Sequence, residues 1–402
     1  MHPLEIGPPE DSKRRLRDLG IAIGTLPTGP LNAITDVPGV RVGHATVVRG
    51  EGELRVGEGP ARTGVTAIHP HEGSVYMDRV PAAIAVLNGA GEITGRSQVD
   101  EYGTLETPIL ITNTLSVGEV HRACIDWLVE REPRLASRDF VIPIVAETFD
   151  GFLNDVAGQH VTRADVFAAL DGATSGPVAE GNVGGGTGMM LFDFKGGIGT
   201  SSRRATIGAA TYTVGVLVQG NFGARPDLLV DGVPVGLAIA DLMPERGDRR
   251  SAEKDGSIIV VIGTDAPLCD RQLGRLCRRG MLGLGRVGAT ARDSSGDLLL
   301  AFSNFPGNRV DRDAREPLLT QTRVADEWID ILFQATVEAT AEAVLNALVA
   351  AETMTGRDGN TAFAILHDRL RDVMRRYGRL NPGDGVDQVE AGDSASVDGA
   401  VR

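Results

Sequence analysis

Aromatic side chains make up only 4% of the 402 residues, and there are three cysteines, Cys124, Cys269 and Cys277. An odd, sparse set of thiols without metal-ligand spacing excludes a disulfide scaffold and a zinc module, and it points to a reducing compartment. Positive charge is also short: 40 Lys and Arg stand against 54 Asp and Glu, a net charge of −14. That balance argues against a protein that grips phosphate backbones, because such affinity comes from clustered cations that release counterions. A local basic patch such as Arg275, Arg278 and Arg279 is compatible with that balance. No stretch of about 18 uninterrupted apolar residues is present, and the first 24 residues carry charge where a signal peptide has its apolar core. These absences predict a cytoplasmic protein with no membrane and no nucleic-acid partner.

Glycine is abundant, at 52 residues, well above average usage. Glycine costs backbone entropy, so the excess predicts tight turns and close contact between layers. The composition is otherwise globular. Residues 1–20 read as a polar arm, 21–380 as a single domain, and 382–402 as an acidic, disordered tail.

Apolar runs that do not alternate predict strands covered on both faces. They fall near 34–48, at GVTAIHP, from 82, from 108, from 139, and at 189–194, 210–219, 257–264 and 298–303. Helical spacing appears in Val117, Val120, Cys124, Trp127 and Leu128, and again in Leu273, Leu276, Cys277 and Leu284. The longest helical pattern runs from Val324 to Thr353, with Trp328, Ile331 and Leu332 at its start and small residues crowding its middle. Strands and helices without strict alternation predict a layered α+β sandwich rather than a doubly wound sheet.

Few motifs carry chemistry by spacing alone. GNVGGGTGMM (181–190) has the glycine of a phosphate cradle, but it lacks the Lys-Ser/Thr of a P-loop and runs into an apolar stretch, so it reads as a close-packing turn. His69 and His71 form a His-Pro-His triplet with no carboxylate-histidine constellation around it, and they read as solvated loop residues rather than metal ligands. DGSIIVVIGTDAPL (255–268) reads as a turn followed by a buried strand from Ser257. A cut between Gly256 and Ser257 would give Ser257 a hydroxyl and a free α-amine, a nucleophile with its own base. The charged stretch PERGDRRSAEKD (244–255) just before it suits a severed connection.

Read as whole strings, the chain resembles the L-aminopeptidase/D-esterases and β-peptidyl aminopeptidases, self-processing serine peptidases. The resembling segments include LNAITDVPGVRVGHAT, NGAGEITG, LETPILITNTLSVG, ETFDGFLND, GNVGGGTGM, KGGIGTSSR, YTVGVLVQGNFG, DGSIIVVIGTDAPL, GDLLLAFSN and AETMTGRDGNT, in order from about residue 30 to 360. The resemblance implies a four-layer αββα sandwich similar to the N-terminal-nucleophile hydrolases with different connectivity. It also implies autocleavage into chains 1–256 and 257–402, which stay together in a homo-oligomer, usually a tetramer of cleaved pairs. By position, the family's nucleophile falls on Ser257, its Ser and acid of the S-G-D/E motif on Ser295 and Asp297, and its oxyanion asparagine on Asn221. The glutamate that holds the substrate amine falls on Glu147, which on composition alone is a solvated strand-edge residue. Two residues later, Phe149 stands where some members have a tyrosine, so the phenol donor is missing. Asp297 is one methylene shorter than the glutamate of some relatives.

The implied reaction is hydrolysis of the N-terminal residue from a peptide, amide or ester through an acyl-enzyme, with no metal and no cofactor. The competing readings are an acyltransferase similar to ornithine acetyltransferases, which use threonine, and a binding relative that never cleaves.

Overall fold

A computed structural model describes residues 14–247 and 256–380. The predicted tail, and residues 248–255 of the charged connection, lie outside the described residues.

Two sheets form the centre. The first joins β1 (Arg41–Arg49), β2 (Ala61–His69), β5 (Ile109–Asn113) and β6 (Ile144–Thr148), in the order β1-β2-β5-β6. The second joins β3 (Asp78–Gly89), β9 (Ile198–Ile207), β10 (Ala210–Asn221), β11 (Ser257–Thr264), β12 (Gly296–Ser303) and β13 (Val310–Asp311). Its order is β13-β3-β12-β11-β10-β9, with the short β4 (Thr104–Leu105) beside β3. Between them in sequence, β7 (Met190–Leu191) and β8 (Phe194–Lys195) make a separate hairpin. The helices are α1 (Arg96–Tyr102), α2 (Val117–Arg131), α3 (Arg163–Asp171), α4 (Val235–Ala238), α5 (Asp270–Arg286), α6 (Asp330–Val349) and α7 (His367–Arg376).

The layering follows from strand parity. All eight residues of β11 are buried, yet they go to different cores. Ile258, Val260 and Ile262 pack with Leu273, Leu276 and the α6 residues Ala339 and Ala343. Ile259 and Val261 pack instead with Ile68, Ile109, Ile111 and Ile144 of the first sheet. The outer face of that first sheet is covered by Val120, Cys124 and Leu128 of α2 with Val166 and Leu170 of α3. Helix, sheet, sheet, helix is the predicted four-layer αββα sandwich, and the continuous apolar runs are explained by a second covered face.

The small residues of α6 let it lie directly on β9, where a Cβ on Gly199 would come within 2.0 Å of the Ala343 carbonyl. Trp328 is not part of this packing. It is exposed and precedes the helix in a 3-10 turn, Asp326–Trp328.

Several expectations need correction. The run at 189–194 is not one strand: Phe192 and Asp193 take positive φ (50° and 59°) and turn β7 back onto β8. The run from 139 becomes a strand only at Ile144, after Pro143, and the run from 34 begins with a 3-10 turn, Ile34–Asp36. β9 has no apolar signal because it carries a buried cation. Arg203 is fully buried and pairs with Glu338 (3.1 Å) and Glu342 (2.6 Å) of α6. The described end of the polar arm also joins the core: Leu16 and Leu19 are fully buried, while Arg15 and Arg17 pair with Glu180 and Glu342.

The glycine-rich segment 181–190 behaves as a close-packing turn. Gly185 abuts the Gln219 side chain and the Ile111 carbonyl, and Gly186 abuts Gly197.

Candidate active site

One end of the gap between the two sheets gathers the chemistry. Ser257 opens β11, directly opposite Asn221, the last residue of β10, and beside Gly296 at the start of β12. By parity, Ser257 shares its face with Ile259 and Val261, and Asn221 shares the same face with Leu217, so both point toward the first sheet. There β6 ends in Glu147 and Thr148, followed by Phe149.

The contacts close the arrangement. The Phe149 backbone N–H donates to Ser257 Oγ at 3.2 Å. Asn221 Nδ2 donates to the Phe149 carbonyl at 2.7 Å, while its Oδ1 accepts the Met190 N–H at 2.8 Å. The amide is thereby oriented from both ends, with its nitrogen toward the serine side. Ser295 Oγ donates to Asp297 Oδ1 at 2.6 Å, and Ser295 Oγ would lie 3.1 Å from a Cβ on Gly256. The Gly256 carbonyl accepts the Gly296 N–H at 3.1 Å, which polarises the bond between Gly256 and Ser257.

Glu147 is buried rather than solvated, a correction to the reading from composition. Its Oε1 accepts the Glu92 N–H at 2.9 Å and its Oε2 accepts the Thr114 hydroxyl. A Cβ on Gly91 would meet Gly296 Cα at 3.0 Å and Glu147 Oε1 at 3.1 Å, so the carboxylate sits one backbone away from the strand that pairs with Ser257. Desolvation raises the Glu147 carboxyl above its usual range, against the lowering effect of the Thr114 hydroxyl and the Glu92 N–H, while the Glu92 charge adds to the rise. Desolvation likewise raises Asp297, and the Ser295 hydroxyl lowers it.

Phe149, Asn221, Gly256, Ser295 and Asp297 line a cavity of about 480 Å³ whose other walls carry Phe152, Phe222 and Met190. Ser257 and Glu147 lie just behind this lining rather than in it, each almost wholly buried.

Sequence reasoning missed three elements here: Thr114, the Gly296 N–H and the Phe149 N–H. A backbone donor leaves no mark in a sequence, and Thr114 is one of many threonines at strand ends. His69 and His71, expected in solvent, are buried, and their Nε2–H groups donate to the Leu170 and Asp78 carbonyls respectively. Desolvation lowers His69 to about 4, so it is neutral. Among the described residues, no three His, Cys, Asp or Glu side chains gather as metal ligands would.

The profile of Peptidase family S58 matches residues 32–362. The chain belongs to peptidase family S58. It is 49% identical over 368 residues to the beta-peptidyl aminopeptidase BapA of Sphingosinicella xenopeptidilytica, a match covering 90% of this chain and 91% of that protein. The corresponding protein of Sphingosinicella microcystinivorans is 45% identical over 375 residues, 91% of this chain and 93% of its own. Among solved structures, the L-aminopeptidase D-Ala-esterase/amidase of Ochrobactrum anthropi superposes with a TM-score of 0.84 at 45% identity, covering 91% of this chain and 99% of that one. It is described as a prototype for the serine aminopeptidases and a new variant among the Ntn hydrolase fold. The S58 assignment makes this four-layer sandwich such a variant and makes the chain a hydrolase. Nothing among these relatives favours the acyltransferase reading. No helix among the described residues is long and apolar enough to cross a membrane.

Proposed function

We propose that this S58 peptidase is an autoprocessed serine aminopeptidase whose nucleophile is Ser257. The observation that carries the reading is the placement of Ser257: a strand-start hydroxyl that faces Phe149 N–H and Asn221, behind a cavity, on a bond whose carbonyl already accepts the Gly296 N–H.

Maturation is an acyl shift. Ser257 Oγ attacks the Gly256 carbonyl, the new C–O bond forms as the C–N bond breaks, and the hydroxyl proton ends on the Ser257 nitrogen. Water then cleaves the ester. The amine set free is the general base for later cycles, in which Ser257 Oγ attacks the carbonyl of the substrate's first residue and water releases the acyl group. Asn221 and the Phe149 N–H stabilise the oxyanion, the backbone amide taking the place of the missing phenol. Ser295, held by Asp297, sits over the scissile glycine and tunes the nucleophile's surroundings. Glu147 receives the substrate ammonium by a charge-assisted bond, which fixes cleavage at the first residue.

The cut falls between neighbouring strands, so the ladder between β10 and β11 would hold chains 1–256 and 257–402 together. We also place the enzyme in the cytoplasm, as its three buried free thiols suit, and in a tetramer of cleaved pairs. The substrates are peptides, amides or esters with a free amine. A denaturing gel combined with an aminoacyl p-nitroanilide assay tests the whole reading: two bands and turnover are expected, and a single intact band from active protein overturns it.

A further inference from the structure

The chain uses arginine for almost every cation. Of its 40 Lys and Arg residues only three are lysines, Lys13, Lys195 and Lys254, and Lys195 is the only lysine among the described residues. It ends β8 and is fully buried. An ammonium taken out of water is strongly disfavoured unless its donors are met. Lys195 Nζ donates to the Gly196 carbonyl at 2.6 Å and to the Met189 carbonyl at 2.7 Å, with the Gly186 carbonyl on a third side at 3.5 Å. Acceptors that converge on one point suit the compact ammonium rather than the planar arginine fork.

The Met189 carbonyl leads to the active site. The peptide group that carries it also carries the Met190 N–H, which donates to Asn221 Oδ1 at 2.8 Å. In a trans peptide the C=O and N–H point in opposite directions, so Lys195 and Asn221 lie at opposite ends of one conjugated unit. The Asn221 amide is a second such unit, and its Nδ2 donates to the Phe149 carbonyl at 2.7 Å on the side of Ser257. Positive charge at the Met189 oxygen draws electrons from the Met190 N–H and makes it a stronger donor. That bond in turn draws electrons from Asn221 Oδ1, so Nδ2 pulls harder on an anion facing it. Hydrogen bonds in series polarise one another in this way inside a core of low dielectric. The Gly196 N–H also donates to the Met189 carbonyl, at 3.0 Å, which fixes the peptide between the hairpin and Asn221.

We propose that Lys195 is a positioning residue for hydrolysis, which holds and polarises the Met189–Met190 peptide so that Asn221 presents a strengthened donor to the oxyanion. The proposal rests on the reading of Asn221 as that donor. Lys195 does not line the cavity, so it acts from behind the wall. Its effect belongs to the transition state, because only there does the substrate oxygen carry the charge that a polarised amide stabilises. A purely structural role needs a buried donor for the carbonyls. Polarisation needs the charge as well.

Lys195→Gln keeps amide donors for the carbonyls and removes the charge, and Lys195→Met removes both. Each is compared, as matured enzyme on an aminoacyl p-nitroanilide, with Asn221→Ala and with the double variant Lys195→Gln, Asn221→Ala. Both Lys195 variants should lose about tenfold in kcat with KM little changed, a fraction of the 10²–10³ lost with the donor itself. On the Asn221→Ala background the Lys195 change should cost less than about twofold, since no donor is left to polarise. A tenfold further loss there overturns the proposal. A loss in Asn221→Ala with none in Lys195→Gln overturns the proposal alone, and a kcat untouched by Asn221→Ala overturns the oxyanion reading with it. Where a variant does not fold or mature, the wild type decides. Lysine labelled with ¹⁵N at Nζ gives three side-chain signals, and the one protected from solvent exchange is Lys195. That signal should shift when an aminoalkyl boronic acid forms its anionic adduct on Ser257, and stay in place with the matching aminoacyl amide, whose carbonyl carries no charge. A signal unmoved by the boronate overturns the proposal.

Discussion

Asn221 and Ser257 stand opposite each other, the last residue of one strand against the first residue of the next strand in the sheet. Their side chains share the face that looks into the gap between the sheets, and the Phe149 backbone touches both. The proposed nucleophile and oxyanion donor are thus fixed to one rigid ladder, with a single loop from the other sheet completing the site.

That ladder sets the expectation for processing. Purified protein should give chains of 256 and 146 residues, the smaller beginning Ser-Ile-Ile-Val on N-terminal sequencing. Ser257→Ala should stay full length, folded and inactive, since a methyl at a strand start costs little packing. Ser295→Ala and Asp297→Ala should slow both processing and turnover, as followed by intact-mass time courses.

For the oxyanion site, Asn221→Ala should lower kcat by about 10²–10³ with little change in KM. Steady-state kinetics on a p-nitroanilide reads this directly, and an effect on KM alone would remove Asn221 from the role. Phe149→Tyr should raise kcat, by adding a phenol donor beside the existing backbone donor.

The amine recognition proposed for Glu147 gives a pH signature as well as a mutational one. Glu147→Gln should weaken unblocked substrates by ~2–4 kcal/mol, the scale for removing one partner of a desolvated charge pair, and N-acetylated substrates should fail with the wild type. Because burial raises the Glu147 carboxyl, the anion that binds the ammonium is lost on acidification at a pH above the ordinary carboxylate range. KM should therefore climb on the acid side, and Thr114→Val should move that climb to still higher pH by removing a donor that favours the anion.

Asp150 offers a prediction about stability. It is buried, with Asn154 donating to its Oδ1 at 3.0 Å and the Thr63 hydroxyl beside it. Desolvation raises it to about 7. The folded state therefore binds a proton that the unfolded chain releases near pH 4, so this contribution is fully present at low pH and is lost as pH rises through about 7. Urea unfolding of wild type should show stability falling by up to about 4 kcal/mol across that interval, at about 1.4 kcal/mol per pKa unit. Asp150→Asn should flatten that fall, and an unchanged slope would show that Asp150 is ionised throughout.

The sequence was most legible where a strand or helix answers to its own pattern. β11 and β12 are read from unbroken apolar runs, and α2 and α5 from stripes three and four apart, because burial on one or two faces leaves a period in the side chains. β9 was not legible, since it is polar for reasons that lie elsewhere in the chain: Arg203 pairs with Glu338 and Glu342 of α6, and the Ser201 and Ser202 hydroxyls donate to Asn32 and Asp36. The hairpin at Phe192 and Asp193 was hidden for a related reason: two residues with positive φ look like the middle of an apolar run.

For the site, local pattern alone offered a strand-start serine after glycine at Ser257 and no more. The roles proposed for Ser257, Ser295, Asp297 and Asn221 come from the resemblance of whole segments, which is written in consecutive residues. Only the tertiary structure decided what they meet. The parallel pairing of β11 with β12 puts the Gly296 N–H on the Gly256 carbonyl, and sheet-on-sheet packing brings Phe149 to the serine and buries Glu147 against Thr114. Backbone donors and desolvation depend on the register between strands far apart in sequence, and register is set by the packing of whole faces, not by any single segment.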